Sequence, residues 1–192
     1  MIQASSIVIE WENAGLAGEA RACAMLASLG EQLEELAGSL DGAPEVVVVF
    51  NSAEIEGKHL EELIARVPAL AAGGVRFVPD AEGHHYYELK NLGARHATKP
   101  ALVFLDSDVV PEAGWLKGIL TALAEPDRPV ASGNTYVDPA GFYAKAFALF
   151  WFFPLRSEKA ETSDAYWFFA NNVGFSREDF AAHPFPQAKT FR

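Results

Sequence analysis

Two aspartates one residue apart, Asp106 and Asp108, are the strongest candidates for chemistry in this sequence. They directly follow the apolar run 101–105, which is typical of a buried strand. Two carboxylates at the end of a buried strand can approach one hard divalent cation, and Mg²⁺ or Mn²⁺ prefers such oxygen ligands. The same two residues could instead form a turn and a helix N-cap, which is common for aspartate. Spacing alone leaves both interpretations open.

Polar residues also follow two earlier apolar runs. Glu10 and Glu12 come after residues 7–9, and Asn51 comes after residues 46–50. In open parallel sheets, ligands bind at the carboxyl ends of the strands. We therefore expect these three side chains to lie along one edge of a sheet together with the aspartate pair.

The segments that must position these residues alternate between strand and helix. Apolar runs predict strands at residues 7–9, 46–50, 75–78, 101–105 and 130–137. Apolar spacings of three and four, with their flanking signals, predict helices at 15–40, 60–70, 86–98, 112–124 and 140–152. This alternation predicts an α/β, doubly wound, mostly parallel sheet with helices on both faces. The aromatic sets at 142–153 and 166–169 are predicted to be core, with an apolar acceptor groove as the alternative.

Composition restricts the class of protein. The chain has 192 residues, half of them hydrophobic, which predicts one domain over residues 1–192. With 15 Lys and Arg against 26 Asp and Glu, the net charge is −11, which argues against a nucleic-acid partner. The most apolar stretch, 142–155, is shorter than the ~20 residues of a membrane-spanning helix. With the single cysteine Cys23 and no leader pattern, we expect a cytoplasmic protein, and peripheral membrane contact stays open.

Residues 86–116 carry several further motifs in a fixed order. They contain Lys90-Asn91, then Gly93 and Ala97, a buried strand, Asp106 and Asp108, then Pro111 and Trp115-Leu116. This order resembles the middle of a family 2 glycosyltransferase with the GT-A fold. Residues 170–177 resemble a later segment of the same family. The resemblance therefore covers most of the chain.

The resemblance implies a metal-dependent glycosyltransferase that moves a sugar from a nucleotide-diphosphate sugar to an acceptor hydroxyl. Asp106 and Asp108 would hold Mn²⁺ or Mg²⁺ against the leaving diphosphate. The donor would be bound by Glu10, Glu12, Asn51, Lys90, Asn91 and Asp106. The acceptor is not identified, although the aromatic runs would suit a lipid-linked one.

The chain departs from the family pattern in three places. Family members usually begin V-I-P-T-Y-N, whereas residues 8–13 agree only at the ends, and Asn51 replaces a usual aspartate. In the family, the general base usually follows the segment that 170–177 resembles. Glu178 and Asp179 are better explained as acids in the first turn of a helix than as this base, so no catalytic residue is assigned. We therefore expect a chain shortened at its C-terminus. A GT-A-like domain that binds a nucleotide sugar or a partner without turnover is the alternative. In haloacid-dehalogenase-like phosphatases the aspartate pair follows the first strand. Here the pair follows the fourth predicted strand, which argues against that class.

Overall fold

The structure is a computed structural model and describes residues 1–136, 141–150 and 163–187. Within these residues, six strands form one sheet: β1 Ser5–Glu10, β2 Glu45–Asn51, β3 Val75–Asp80, β4 Ala101–Asp106, β5 Val130–Ser132 and β6 Asn172–Ser176. The same residues contain the helices α1 Ala14–Ala17, α2 Glu19–Leu36, α3 Gly57–Ile64, α4 Pro68–Ala71, α5 Tyr86–His96, α6 Trp115–Leu123, α7 Phe142–Phe150 and α8 Arg177–Ala182.

The strand order is β3-β2-β1-β4-β6-β5, with the first four strands parallel. Only β6 runs antiparallel to its neighbours β4 and β5. The register places Glu10 opposite Asp106, and Asn51 opposite Asp80. All four residues therefore lie along the carboxyl edge of the sheet. This position was predicted for Glu10, Asn51 and Asp106, but not for Asp80. The predicted α/β class with a mostly parallel sheet is confirmed.

Helices cover both faces of the sheet, which explains why its central strands β1, β2 and β4 contain unbroken apolar runs at residues 7–9, 46–50 and 101–105. Ile7 and Ile9 pack with α2, α3 and α6 on one face, whereas Val8 packs with α5 and α8 on the other. Successive residues of a strand point to opposite faces, so a strand covered on both sides must be apolar throughout.

Helix α5 packs unusually close to the sheet at Gly93. A Cβ atom at this position would stand 2.4 Å from Val8 Cγ1 and 2.8 Å from Val49 Cγ2. Such distances lie well inside van der Waals contact, so only glycine fits without a shift. This contact brings α5, which carries the predicted Lys90 and Asn91, against β1 and β2.

Two predicted helices are divided in the structure, each by a residue with a physical reason. The predicted helix 15–40 is split at Gly18, whose φ of 90° is not helical, and α2 ends at Leu36. The predicted helix 60–70 is split at Pro68, which begins α4 because its missing N–H is tolerated in a first turn. The predicted strand 130–137 is reduced to β5 over three residues, and position 137 lies outside the described residues.

The prediction that the two aromatic sets belong to the core is wrong for several of their members. Phe142 and Tyr143 are 79% and 87% exposed, and Tyr166 and Trp167 are also exposed. Helix α7 is apolar on almost all of its sides, but Ala148 marks the side that is buried against the rest of the protein. Apolar side chains on its other sides are therefore exposed. Residues 151–153 of the first set lie outside the described residues. In the described part of the chain, no helix is both long and apolar enough to cross a bilayer.

Candidate functional site

Asp106, the last residue of β4, forms the buried centre of the carboxyl edge. Its Oδ1 atom lies 2.5 Å from the Nζ of Lys90, and its Oδ2 atom accepts a hydrogen bond of 2.9 Å from the hydroxyl of Tyr86. Both partners come from α5, one helical turn apart, and the Lys90 ammonium lies 4.6 Å from the Tyr86 ring centroid. Burial, followed by the charge of Asp106, raises the pKa of the Tyr86 phenol, so this hydroxyl remains a donor.

Lys90, for which the resemblance implied a contact with the donor, has a fully buried side chain. A buried ammonium requires a close counter-charge, and Asp106 supplies it. Lys90 therefore acts on the site through Asp106 in this structure.

Glu10, the last residue of β1, is also fully buried beside Asp106. Its carboxyl accepts hydrogen bonds from the backbone N–H of Glu12 at 3.0 Å and from Nδ2 of Asn13 at 3.2 Å. Burial, with the neighbouring charge of Asp106, raises the pKa of Glu10 to about 8. Glu10 is therefore mostly protonated at pH 7 and does not face solvent, whereas Glu12 is partly exposed at the edge.

Asp108 contrasts with its neighbour. The side chain is partly exposed, and no other residue of the described chain donates a hydrogen bond to its carboxylate. Burial, and then the charge of Asp106, raises the pKa of Asp108. Its own backbone N–H and the charges of Arg21 and Lys90 act in the opposite direction, but they do not outweigh the effects of burial and of Asp106. Arg21 itself is bonded through Nε to the backbone oxygen of Asp108 at 2.5 Å and not to the carboxylate.

The carboxylates at this edge fit a divalent cation whose remaining ligands are water and substrate oxygens. Within residues 1–136, 141–150 and 163–187, no three His, Cys, Asp or Glu side chains are grouped to hold a metal. Asp106 already receives bonds from Lys90 and Tyr86, whereas Asp108 is open. Mg²⁺ and Mn²⁺ commonly take one or two carboxylates and complete their shell with water and substrate phosphates. The residues present fit that arrangement, with Asp108 as the available protein ligand.

The edge continues at β2 and β3. Asn51 is partly exposed, and its Oδ1 accepts the backbone N–H of Ala53 at 3.0 Å. Asp80, which the sequence analysis missed, accepts 2.8 Å bonds from the backbone N–H of His84 and pairs with the His84 ring Nδ1. Burial raises its pKa, but the bonds from His84 outweigh that effect and lower it. Its position two residues after the third predicted strand was the signal that could have found it.

Asn91 has a structural partner rather than an open amide. Its Nδ2 donates to the backbone oxygen of Phe185 at 2.8 Å, and its Oδ1 accepts the Phe185 N–H at 3.1 Å. Both functional atoms are thereby engaged, and the side chain is buried. The amide ties α5 to the segment that follows α8 and does not offer a ligand contact in this structure.

Glu178 and Asp179 lie where the sequence analysis expected them, in the first turn of a helix. This helix is α8, and Ser176 caps it by accepting the N–H of Asp179 at 3.1 Å. Acidic residues are favoured at this end of a helix by its dipole.

The strand order, the single antiparallel strand and the acidic carboxyl edge together define a GT-A fold. The chain matches the family model "Glycosyl transferase family 2" over residues 24–180, and it belongs to that family. The resemblance noted in residues 86–116 is thus confirmed. No curated protein matches the chain.

Solved structures share the fold at low sequence identity. The mannosyltransferase PcManGT from Pyrobaculum calidifontis, in complex with GDP-Man and Mn²⁺, has a TM-score of 0.63 and 21% identity, covering 97% of this chain and 48% of that one. S. aureus TarS 1–349 has a TM-score of 0.63 and 16% identity, covering 96% and 50%. TarS 1–349 with UDP-GlcNAc has a TM-score of 0.53 and 19% identity, covering 72% and 36%. The chain therefore spans about half the length of the first two structures.

Proposed function

We propose that this protein is a metal-dependent glycosyltransferase that moves a sugar from a nucleotide-diphosphate sugar to an acceptor hydroxyl. The observation that carries the proposal is the open carboxylate of Asp108 beside the neutralised Asp106, at the carboxyl edge of a GT-A sheet. Ligands of such sheets gather at that edge. Membership of glycosyl transferase family 2 supports the same reaction.

Each residue of the edge has a distinct role in this proposal. Asp108 holds Mn²⁺ or Mg²⁺, and the bound cation supplies charge stabilisation for the leaving diphosphate. Asp106, predicted as a second metal ligand and donor contact, keeps its charge through Lys90 and gives the edge a fixed shape. Glu12 and Asn51, both partly exposed, bind the donor. Arg21 lies close enough to Asp108 to approach the phosphates.

Ligands in the similar structures support a nucleotide-sugar donor without naming it. PcManGT is in complex with GDP-Man and Mn²⁺, and TarS 1–349 is in complex with UDP-GlcNAc. These two donors differ in both base and sugar. We therefore propose the class of donor and leave the nucleotide to a panel of guanosine and uridine sugars.

The acceptor we propose is lipid-linked, and the protein would then act peripherally at a membrane. The exposed aromatics Tyr166 and Trp167 precede β6, which begins at the carboxyl edge. Exposed aromatic side chains suit the boundary between water and lipid. A transfer assay with a polyprenyl phosphate and with a soluble sugar acceptor separates this acceptor class from a polar one.

A binding domain without turnover is the second candidate. The observation in its favour is that none of the described residues is placed as a general base, while two of the three departures from the family pattern, residues 8–13 and Asn51, lie at this edge. Nucleotide binding alone does not separate the two candidates, because both require it. Turnover of the donor does.

The test is release of nucleoside diphosphate from GDP- and UDP-sugars in the presence of Mn²⁺ or of EDTA, followed by anion-exchange chromatography of the nucleotides. We expect release in the presence of Mn²⁺ with one donor, and a loss of at least about a hundredfold in Asp108→Asn. The matched control is Asp127→Asn, an exposed position with φ 67° that asparagine tolerates. Metal-dependent binding with no release, with or without acceptor, would establish the binding domain instead.

A further inference from the structure

Glu10 organises the turn that follows β1. Its two carboxyl oxygens reach forward along the chain, to the backbone N–H of Glu12 and to the amide of Asn13. The Asn13 Nδ2 atom also lies 3.4 Å from Oδ2 of Asp106. Glu10 thus holds the turn 11–13 to the end of β1, and Asn13 connects that turn to the end of β4.

This arrangement leaves Glu10 no surface for a ligand. The residue is 0% exposed, and both of its oxygens have partners within its own turn. By contrast, Glu12 and Asn13 are partly exposed at the same edge. Any effect of Glu10 on a bound donor must therefore pass through the position of these two residues.

The charges of the cluster indicate which form of Glu10 fits. Lys90 is the one fully buried cation among the described residues, and it pairs with Asp106 at 2.5 Å. A second buried carboxylate would have no counter-charge, and such a charge is costly. A neutral group that can accept the Glu12 N–H keeps the backbone bond of the turn, which makes glutamine the most conservative replacement, although its Nε2 then faces the Nδ2 of Asn13.

We propose that Glu10 is a positioning residue, which fixes the turn 11–13 against Asp106 and so places Glu12 and Asn13 at the donor-binding edge. The consequence for the donor rests on the proposed function, whereas the order of the turn does not. This role replaces the direct donor contact that the sequence predicted for Glu10.

The experiment compares wild type with Glu10→Gln, Glu10→Ala, Asn13→Ala and the double alanine variant, with Glu35→Ala as an exposed control on α2. Amide hydrogen exchange of the peptide covering residues 11–14 is measured without ligand. We expect exchange about tenfold faster in Glu10→Ala and in Asn13→Ala, and near wild-type rates in Glu10→Gln. The double variant should exchange no faster than the faster single variant, because the two residues form one unit. Far-UV circular dichroism verifies that each variant is folded.

The second measurement is the KM for the donor against kcat in the same variants. Glu10→Ala should raise KM about tenfold with a smaller effect on kcat, and Glu10→Gln should restore it. Unchanged exchange in Glu10→Ala, or additive effects in the double variant, would overturn the positioning role whatever the donor does. Faster exchange in a protein whose wild type binds no nucleotide would support the role and would refute the proposed function instead.

Discussion

The buried pair of Lys90 and Asp106 gives a carboxylate at the end of a strand a counter-charge inside the protein. The two side chains lie 16 positions apart in sequence and 2.5 Å apart in space, with almost no exposure of either. Asp106 is further bonded by Tyr86, so little of its hydrogen-bonding capacity is left. Asp108, two residues later, has the opposite character, because it is open and poorly stabilised. Two acids only two positions apart therefore differ in environment: Asp106 is buried and paired, whereas Asp108 is open.

Removal of Lys90 should destabilise the protein strongly. In Lys90→Met, Asp106 remains as a buried charge without its counter-ion, which typically costs about 3–5 kcal/mol. Urea unfolding at pH 7 measures the loss, with Lys58→Met as the control because the Lys58 side chain is 84% exposed. A second variant, Lys90→Met with Asp106→Asn, should recover part of the loss. Equal stabilities for Lys90→Met and Lys58→Met would contradict the ion pair.

Glu10 should make stability depend on pH. Its pKa in the folded state is about 8, above the ordinary value of 4.5, so the folded protein retains a proton that the unfolded chain releases. Its contribution is complete below pH 4.5, declines as pH rises and levels off above about 8. Relative to Glu10→Gln, which does not titrate, wild type should lose about 2 kcal/mol between pH 5 and pH 7. Parallel stability profiles for the two proteins, measured by urea unfolding, would show that Glu10 does not hold this proton.

At the scale of the element, α5 carries the largest share of the site. It delivers Lys90 and Tyr86 to Asp106 on one side, and Asn91 to Phe185 on another. All of these contacts require the helix to lie close to the sheet, which Gly93 permits. Close packing of α5 against the sheet therefore explains why glycine stands at position 93 of the motif that resembles the family.

Substitution of Gly93 should show this close approach directly. Gly93→Ala places a methyl group against Val8 and Val49, at 2.4 Å and 2.8 Å from their nearest atoms, and overpacking of this kind costs about 1–3 kcal/mol. The control is Gly118→Ala in α6, where a Cβ meets nothing within 4 Å. That change should be neutral or should stabilise by about 0.5–1 kcal/mol, because it favours the helix. Thermal unfolding of both variants gives the comparison, and a destabilisation of equal size in both would refute the packing argument.

Much of the fold could be predicted from the sequence because buried parallel strands are apolar throughout. The strands at residues 46–50 and 101–105 are found within one residue of their predicted ends. The break at Pro68 agrees with the kink or helix end that a proline predicts there. The break at Gly18 was not predicted, because it depends on a positive φ that the sequence does not show. The edge itself was predictable from the residues that follow the strands.

The side-chain contacts at the carboxyl edge were less predictable, since they depend on distances between elements that are far apart in sequence. The sequence indicates that Lys90 lies on a helix, but it does not show that this side chain points into the sheet towards Asp106. In the same way, the Asn91 partner lies 94 positions away at Phe185. The exposed aromatics of α7 were mistaken for core because composition records apolar character and not the side that is covered.

For the molecule as a whole, the topology explains how an acidic protein could hold an acidic ligand. The chain carries a net charge of −11, and acids follow β1, β3 and β4 at one edge. Lys90 pairs with Asp106, Glu10 keeps its proton, and Asp80 is bonded to His84. Among these acids, Asp108 is therefore the one left to bind a cation. A divalent ion would then join the protein to a diphosphate.

The most direct test of this account is a titration of nucleotide diphosphates and their sugars, with and without Mn²⁺, followed by thermal unfolding. A donor at ~100 times its Kd should stabilise the protein by roughly 2.7 kcal/mol. We predict that one nucleotide does so only with Mn²⁺, that Asp108→Asn abolishes the shift, and that Asp127→Asn retains it. No shift with any nucleotide in folded wild type, or a full shift in Asp108→Asn, would contradict a metal-dependent donor site at Asp108.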